Sequence, residues 1–158
     1  MEKENDKAYR LQVVAEYRAL LDSYFRYIPW FQERMGRKLG RLYDGDADIS
    51  HTIAVPVYDS TLLSFVKGIQ DTGLINRNYP YIYSQHNIHD LTDELAWIAR
   101  CELQDIEVIL GIVSKYVLGG MTRGQVWNDA VEDGIFYHAL VRIQEILGQW
   151  TDHQEQRE

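Results

Sequence analysis

Apolar residues recur at helical spacing along most of this chain, and the clearest stretch lies in its last third. Leu103, Ile106, Leu110, Val113 and Val117 fall three or four residues apart, while Ile109, Ile112 and Tyr116 widen the stripe beyond what one partner helix could cover. The pattern predicts a helix nearly central to the fold. Gly119-Gly120 is expected to end it, because glycine reaches the left-handed backbone of a helix C-terminus without a side-chain clash. Thr122 is then expected to start a short helix, with Gln125 placed three residues on to complete a capping box. Val126, Trp127, Ala130 and Val131 give that helix an inner face, and Gly134 stops it. Phe136, Ala139, Leu140, Ile143 and Leu147 form the buried side of a last helix.

Earlier in the chain, Leu11, Val14, Ala15, Tyr17, Leu21, Phe25 and Ile28 mark an amphipathic helix from about Tyr9 to Tyr27. Pro29 is expected to kink or restart it, since proline lacks a backbone donor and suits a first helical position. The helical period then disappears. Ile53, Val55 and Val57 alternate with Ala54, Pro56 and Tyr58, the period of an extended segment. Leu62, Phe65, Val66 and Ile69 restore a helix that opens at Asp59 or Ser60 and ends at Gly73. Tyr79, Tyr81 and Tyr83 would share one side of an extended piece, which offers a partner strand for residues 53–58. Asp90 or Thr92 caps a further helix that turns Leu91, Leu95, Ile98 and Trp97 inward.

These segments predict a mainly α, single-domain bundle of six or seven helices over residues 1–158. Residues 1–7 and 151–158 are expected to fray, and one short two-stranded excursion is expected between residues 42 and 84. At 158 residues, 46% of them apolar, the chain suits one substantial core rather than two thin ones. A single cysteine, Cys101, excludes an internal disulfide framework and points to a reducing, cytoplasmic setting. The chain reads as lacking an export leader. Its most apolar window, Ile106 to Leu118, contains Glu107 and Lys115 and is shorter than the roughly 20 residues of a membrane helix.

Net charge is -8, and it is unevenly placed. Residues 1–58 hold nine basic and nine acidic groups, whereas residues 59–158 hold seven and fifteen. Generic nucleic-acid binding requires clustered lysine and arginine, which occur only as Arg34, Arg37, Lys38 and Arg41, a set that a solvated helix end explains equally well. The helix, turn, helix order of the last third also fails as a DNA reader. Its candidate recognition helices carry Asp129, Glu132 and Asp133, or a lone Arg142.

Constellations for chemistry are thin. Asp44, Asp46 and Asp48 have the spacing that opens an EF-hand loop, but Ile49 stands where glycine is needed and Val55 where a bidentate glutamate closes the site. His86 and His89, with Asp90 adjacent and the Asp44/His51 loop joining them through the fold, would make a metal-binding or small-enzyme site, one ligand pair short of a zinc pattern. No serine elbow, phosphate-cradling loop or dinucleotide fingerprint is present. Cys101 sits in a helical context as a small apolar residue, and Glu102 with Asp105 reads as solvated helix charge. No cofactor is implied.

The run Lys115-Tyr116-Val117-Leu118-Gly119-Gly120-Met121, followed by Trp127, Asp133-Gly134-Ile135-Phe136, Leu140, Ile143 and Leu147, resembles the C-terminal signature of a family of small bacterial domains of unknown function. The resemblance covers about a third of the chain. It implies a bacterial or phage-like intracellular setting and no reaction. With it, the one-sided charge leads to the expectation of a non-enzymatic protein-binding domain, an acidic inhibitor of a nucleic-acid-binding protein of anti-defence type. Its binding residues are expected to be Asp129, Glu132, Asp133, Tyr79, Tyr81, Tyr83 and Trp150, meeting a basic protein surface rather than nucleic acid or membrane. The alternatives are the metal or enzyme site above, or a homo-oligomeric module in which the aromatic surface pairs with itself.

Overall fold

The computed structural model describes residues 2–36 and 60–155. Helix α1 spans Glu2–Leu21 and passes through a 3-10 turn, Asp22–Tyr27, into α2, Ile28–Arg34. Then follow α3 (Ser60–Asp71), α4 (Tyr79–Gln85) and α5 (Leu91–Arg100). A short 3-10 turn at Leu103–Asp105 leads into α6 (Ile106–Thr122), and α7 (Gln125–Glu132) and α8 (Ile135–Glu155) complete the order. The described residues contain no strand, and the architecture is a mainly α bundle.

Helix α6 is the axis. Ile106, Ile109, Ile112 and Val117 have no exposed surface, Val108, Leu110 and Val113 are also buried, and α4, α5, α7 and α8 all pack around them. A helix apolar on nearly every side has to be surrounded. Its start is fixed twice over. The main-chain N–H of Glu102 donates to the Asp105 carboxylate at 3.0 Å, and the Glu102 side chain answers as the other half of a capping box. Just upstream, Arg142 of α8 donates from Nε and Nη2 to the Cys101 carbonyl at 3.0 and 2.7 Å, satisfying the open end of α5. The pair read as solvated helix charge, Glu102 and Asp105, is thus the cap of the 3-10 turn that leads into the central helix.

A second centre is aromatic. Phe31 of α2, Phe65 of α3 and Phe136 of α8 meet with ring centroids 4.8 to 5.6 Å apart, and Tyr27 adds an edge contact to Phe65 at 5.4 Å. These rings join three helices spread over more than a hundred residues of sequence, from Phe31 to Phe136. The space among Phe65, Leu110, Phe136 and Leu140 is only about 10 Å³, room for one water at most.

Three expectations change. Tyr79–Gln85 is a helix, not an extended piece. Pro80 sits in its first turn, where a missing N–H costs nothing, and Ile82 packs so closely on α6 that a β-carbon on Gly111 would stand 2.7 Å from its Cδ1. The proposed partner strand, residues 53–58, lies outside the described residues. Helix α6 also runs through Gly119-Gly120 to Thr122. Thr122 is therefore its last residue rather than the cap of α7, and its hydroxyl donates back to the Gly119 carbonyl at 3.3 Å. Gly73 and Gly134, by contrast, hold φ near +80° just after α3 and α7, as helix stops require.

Candidate functional site

The only buried acid of the described residues is Glu94, 1% exposed on the inner side of α5. Its carboxylate accepts hydrogen bonds from the hydroxyls of Tyr83 on α4 and Tyr116 on α6, the latter at 2.6 Å. Lys115 Nζ lies 3.4 Å away and stands over both phenol rings, 4.9 and 5.4 Å from their centroids. A buried carboxylate is tolerable only when paired and hydrogen-bonded, and here it is both. Burial first, and the Glu94 hydrogen bond second, push the Tyr83 and Tyr116 phenols far above the ordinary tyrosine range. Both stay protonated at neutral pH. The cluster binds α4, α5 and α6 together.

Beside it lies the acidic side of α7. Asp129, Glu132 and Asp133 carry no ion pair among the described residues, and Asp129 only accepts from Gln125 Nε2 at 3.2 Å. Partial burial, then the charges of Asp129, Glu132 and Glu94, raise the Asp133 carboxyl above its ordinary value. The charges of Asp133 and Asp129 in turn contribute to the rise at Tyr116. One continuous field therefore links α7 with the buried cluster. Lys115 neutralises Glu94, and nothing among the described residues does the same for α7.

Of the residues expected to bind, the fold brings Asp129, Glu132, Asp133 and Tyr83 into this neighbourhood. Tyr79 packs edge-on to Tyr83, one helical turn away, with centroids 6.1 Å apart. Tyr81 points elsewhere from the same helix and is 58% exposed. Trp150 is separate. It lies fifteen residues, about 22 Å, beyond the start of α8 and is covered by the Arg10 guanidinium of α1 at 5.8 Å. Sequence reasoning missed Glu94, although its signal was present: Glu94 follows Leu91 by three residues and precedes Ile98 by four, in phase with the buried stripe.

The other candidates have structural partners. His86 holds the Ile82 carbonyl through Nδ1 at 2.9 Å and packs edge-on against Trp97, whose Nε1–H donates to the His86 carbonyl at 3.2 Å. His89 is exposed, its main-chain N–H bound to Asp93. Among the described residues no three potential ligands gather for a metal ion. Asp44, Asp46, Asp48 and His51 lie outside them. Burial, with the Asp105 charge behind it, pushes the Cys101 thiol up to about 12, far from a thiolate at neutral pH. No helix among the described residues is long and apolar enough to cross a membrane.

No protein-family model, curated protein or solved structure matches this chain. What its fold and site define is a class: a mainly α helical domain with a neutralised buried carboxylate cluster and an unneutralised acidic helix beside it.

Proposed function

We propose that this protein is a non-enzymatic protein-binding domain that presents α7 to a basic partner surface. The observation that carries the reading is the charge of Asp129, Glu132 and Asp133, which no ion pair among the described residues compensates and which adds to partial burial in raising the Asp133 carboxyl. Crowded like charges oppose folding, so a surface that retains them is better matched to a cationic counterpart than to water alone. Tyr79, edge-on to Tyr83 on α4, supplies aromatic area of the kind that anchors interfaces.

A surface built to hold phosphates is basic. An acidic domain seated on it competes with nucleic acid, and this supports an inhibitor of a nucleic-acid-binding protein as the function. The resemblance of the C-terminal third to a bacterial family supports a bacterial or mobile-element setting.

The test is capture from bacterial lysate at rising salt by the parent and by Asp129→Lys/Glu132→Lys/Asp133→Lys, with circular dichroism confirming that both are folded. The reading expects a basic protein held by the parent, released by salt and absent from the reversal. Equal capture by both at every salt concentration would sink it.

A further inference from the structure

Helix α1 carries two apolar stripes. One, Val14 and Leu21, enters the core. The other, Tyr9, Val13, Tyr17 and Leu20, recurs at four, four and three residues and covers about 16 Å of helix. It faces Leu74 and Leu103 across an open groove of about 590 Å³, a size ordinary for a binding cleft. Tyr9 is 66% and Leu20 39% exposed, so the described residues cover the stripe only in part.

The walls of the groove are charged in one sense. Among the described residues, Asp6, Glu16 and Glu107 line it together with a single cation, Arg10. Arg10 pairs with Asp6 at 3.4 Å and leans on the Trp150 ring, which leaves Glu16 and Glu107 on opposite walls without a compensating cation among the described residues. Both carboxylates bear on the Tyr17 phenol between them, which burial and then these charges raise above the ordinary value. A second copy of this chain would bring the same acids and a net charge of -8, so self-pairing is opposed.

We infer that this groove receives an amphipathic basic helix of a protein partner, its apolar side against Tyr9, Val13, Tyr17 and Leu20 and its cations against Glu16 and Glu107. The mode is helix-in-groove recognition, in which apolar anchors one turn apart supply contact area and flanking charges set orientation. The inference rests on the reading of the protein as a binder of basic partners and gives that partner a second contact, away from α7.

The probe is a fluorescein-labelled 15-residue helical peptide with leucine along one face and lysine on the other, read by fluorescence anisotropy. A counterpart has glutamate in place of every lysine. The parent is expected to bind the lysine peptide saturably and ignore the glutamate one. Glu16→Lys/Glu107→Lys, both exposed positions, is expected to weaken binding roughly ten-fold, the scale of two attractive pairs made repulsive. Tyr9→Ala/Leu20→Ala is expected to weaken it as well, while the α7 triple reversal stays within about two-fold of the parent. Absence of saturable binding by the parent, or equal binding by parent and groove variants, overturns the groove. Loss of binding in the α7 reversal alone also overturns the groove while leaving the broader reading intact. Failure of lysate capture with the peptide result in place removes α7 instead.

Discussion

The indole of Trp127 occupies the place where Gly120 would carry a side chain. A β-carbon on Gly120 would overlap Cδ1 and Nε1 of the ring, and the Trp127 Nε1–H donates to the Val117 carbonyl at 2.9 Å, one turn back on α6. The glycine is thus a socket in the wall of α6. Its neighbour Gly119 would bring a β-carbon no closer than 3.3 Å to Val126, a contact that a small shift relieves.

The two glycines should therefore behave oppositely. Gly120→Ala is expected to destabilise by about 3 kcal/mol through overpacking, and Trp127→Ala by a similar amount through lost contact. Gly119→Ala is expected to be neutral or to stabilise by up to about 1 kcal/mol, since alanine is the better helix residue. Urea unfolding of the three variants checks this. If Gly120→Ala unfolded at the parent midpoint, the socket would have no energetic meaning.

Glu94 holds three donors from two other helices, so its removal should reach beyond one contact. Glu94→Ala leaves two part-buried phenols and the Lys115 ammonium without their acceptor. Breaking such a buried set by removing one partner costs about 3 kcal/mol. Tyr116→Phe alone removes one bond and should cost about 1 kcal/mol. A double-mutant cycle between Tyr83→Phe and Glu94→Gln is expected to be non-additive, because the pair shares one hydrogen bond. Strict additivity would separate the phenol from the carboxylate.

How much of this was legible depends on whether a residue's role is local. Gly73 and Gly134 could be read as stops because a positive φ is demanded by their own turn, and Asp90 because its side chain caps a main-chain N–H three residues on. Gly120 could not, because its role is set by an indole seven residues later that folds back across α6. The alternation of Tyr79, Tyr81 and Tyr83 fits a strand in isolation. Its resolution into a helix comes from Ile82 seating on Gly111, a contact that no local pattern contains. Of the expected site, the α7 acids and Tyr83 share one neighbourhood, while Trp150 is tied to Arg10. The Glu94 signal was lost because an acid within an apolar stripe is ordinarily read as the edge of the stripe.

Alkaline pH should unfold the protein earlier than its charge alone implies. Cys101, Tyr83 and Tyr116 all hold their protons more tightly folded than unfolded. The stability tied to each group is complete below its unfolded value and is lost as pH rises through the folded one. The loss therefore begins near 9, where the unfolded thiol ionises while the folded one waits until about 12, and steepens above 10 as unfolded phenols ionise. Melting temperature measured from pH 7 to 11 should stay level and then fall. Cys101→Ala should remove the part that begins near 9, and Tyr116→Phe should make the fall above 10 shallower. An unchanged profile in both variants would place the titrating groups elsewhere.

Asp133 separates stability from binding, because its carboxyl is raised rather than lowered. A proton is held more tightly in the folded state, so folding is favoured below the unfolded carboxylate value, and that advantage disappears as pH climbs through the raised one. At neutral pH the ionised Asp133 therefore opposes folding, through its partial burial first and then through the charges of Asp129, Glu132 and Glu94. Asp133→Asn should stabilise at pH 7 by only a few tenths of a kcal/mol, since the group is exposed and screened, and the gain should shrink in high salt and vanish at acid pH. The same substitution should weaken capture of a basic partner if α7 is its contact. A variant that is more stable yet binds less would mark Asp133 as retained for recognition against the interest of the fold. A variant more stable and equally competent would make the crowding on α7 incidental, and the partner would have to be sought at the α1 groove.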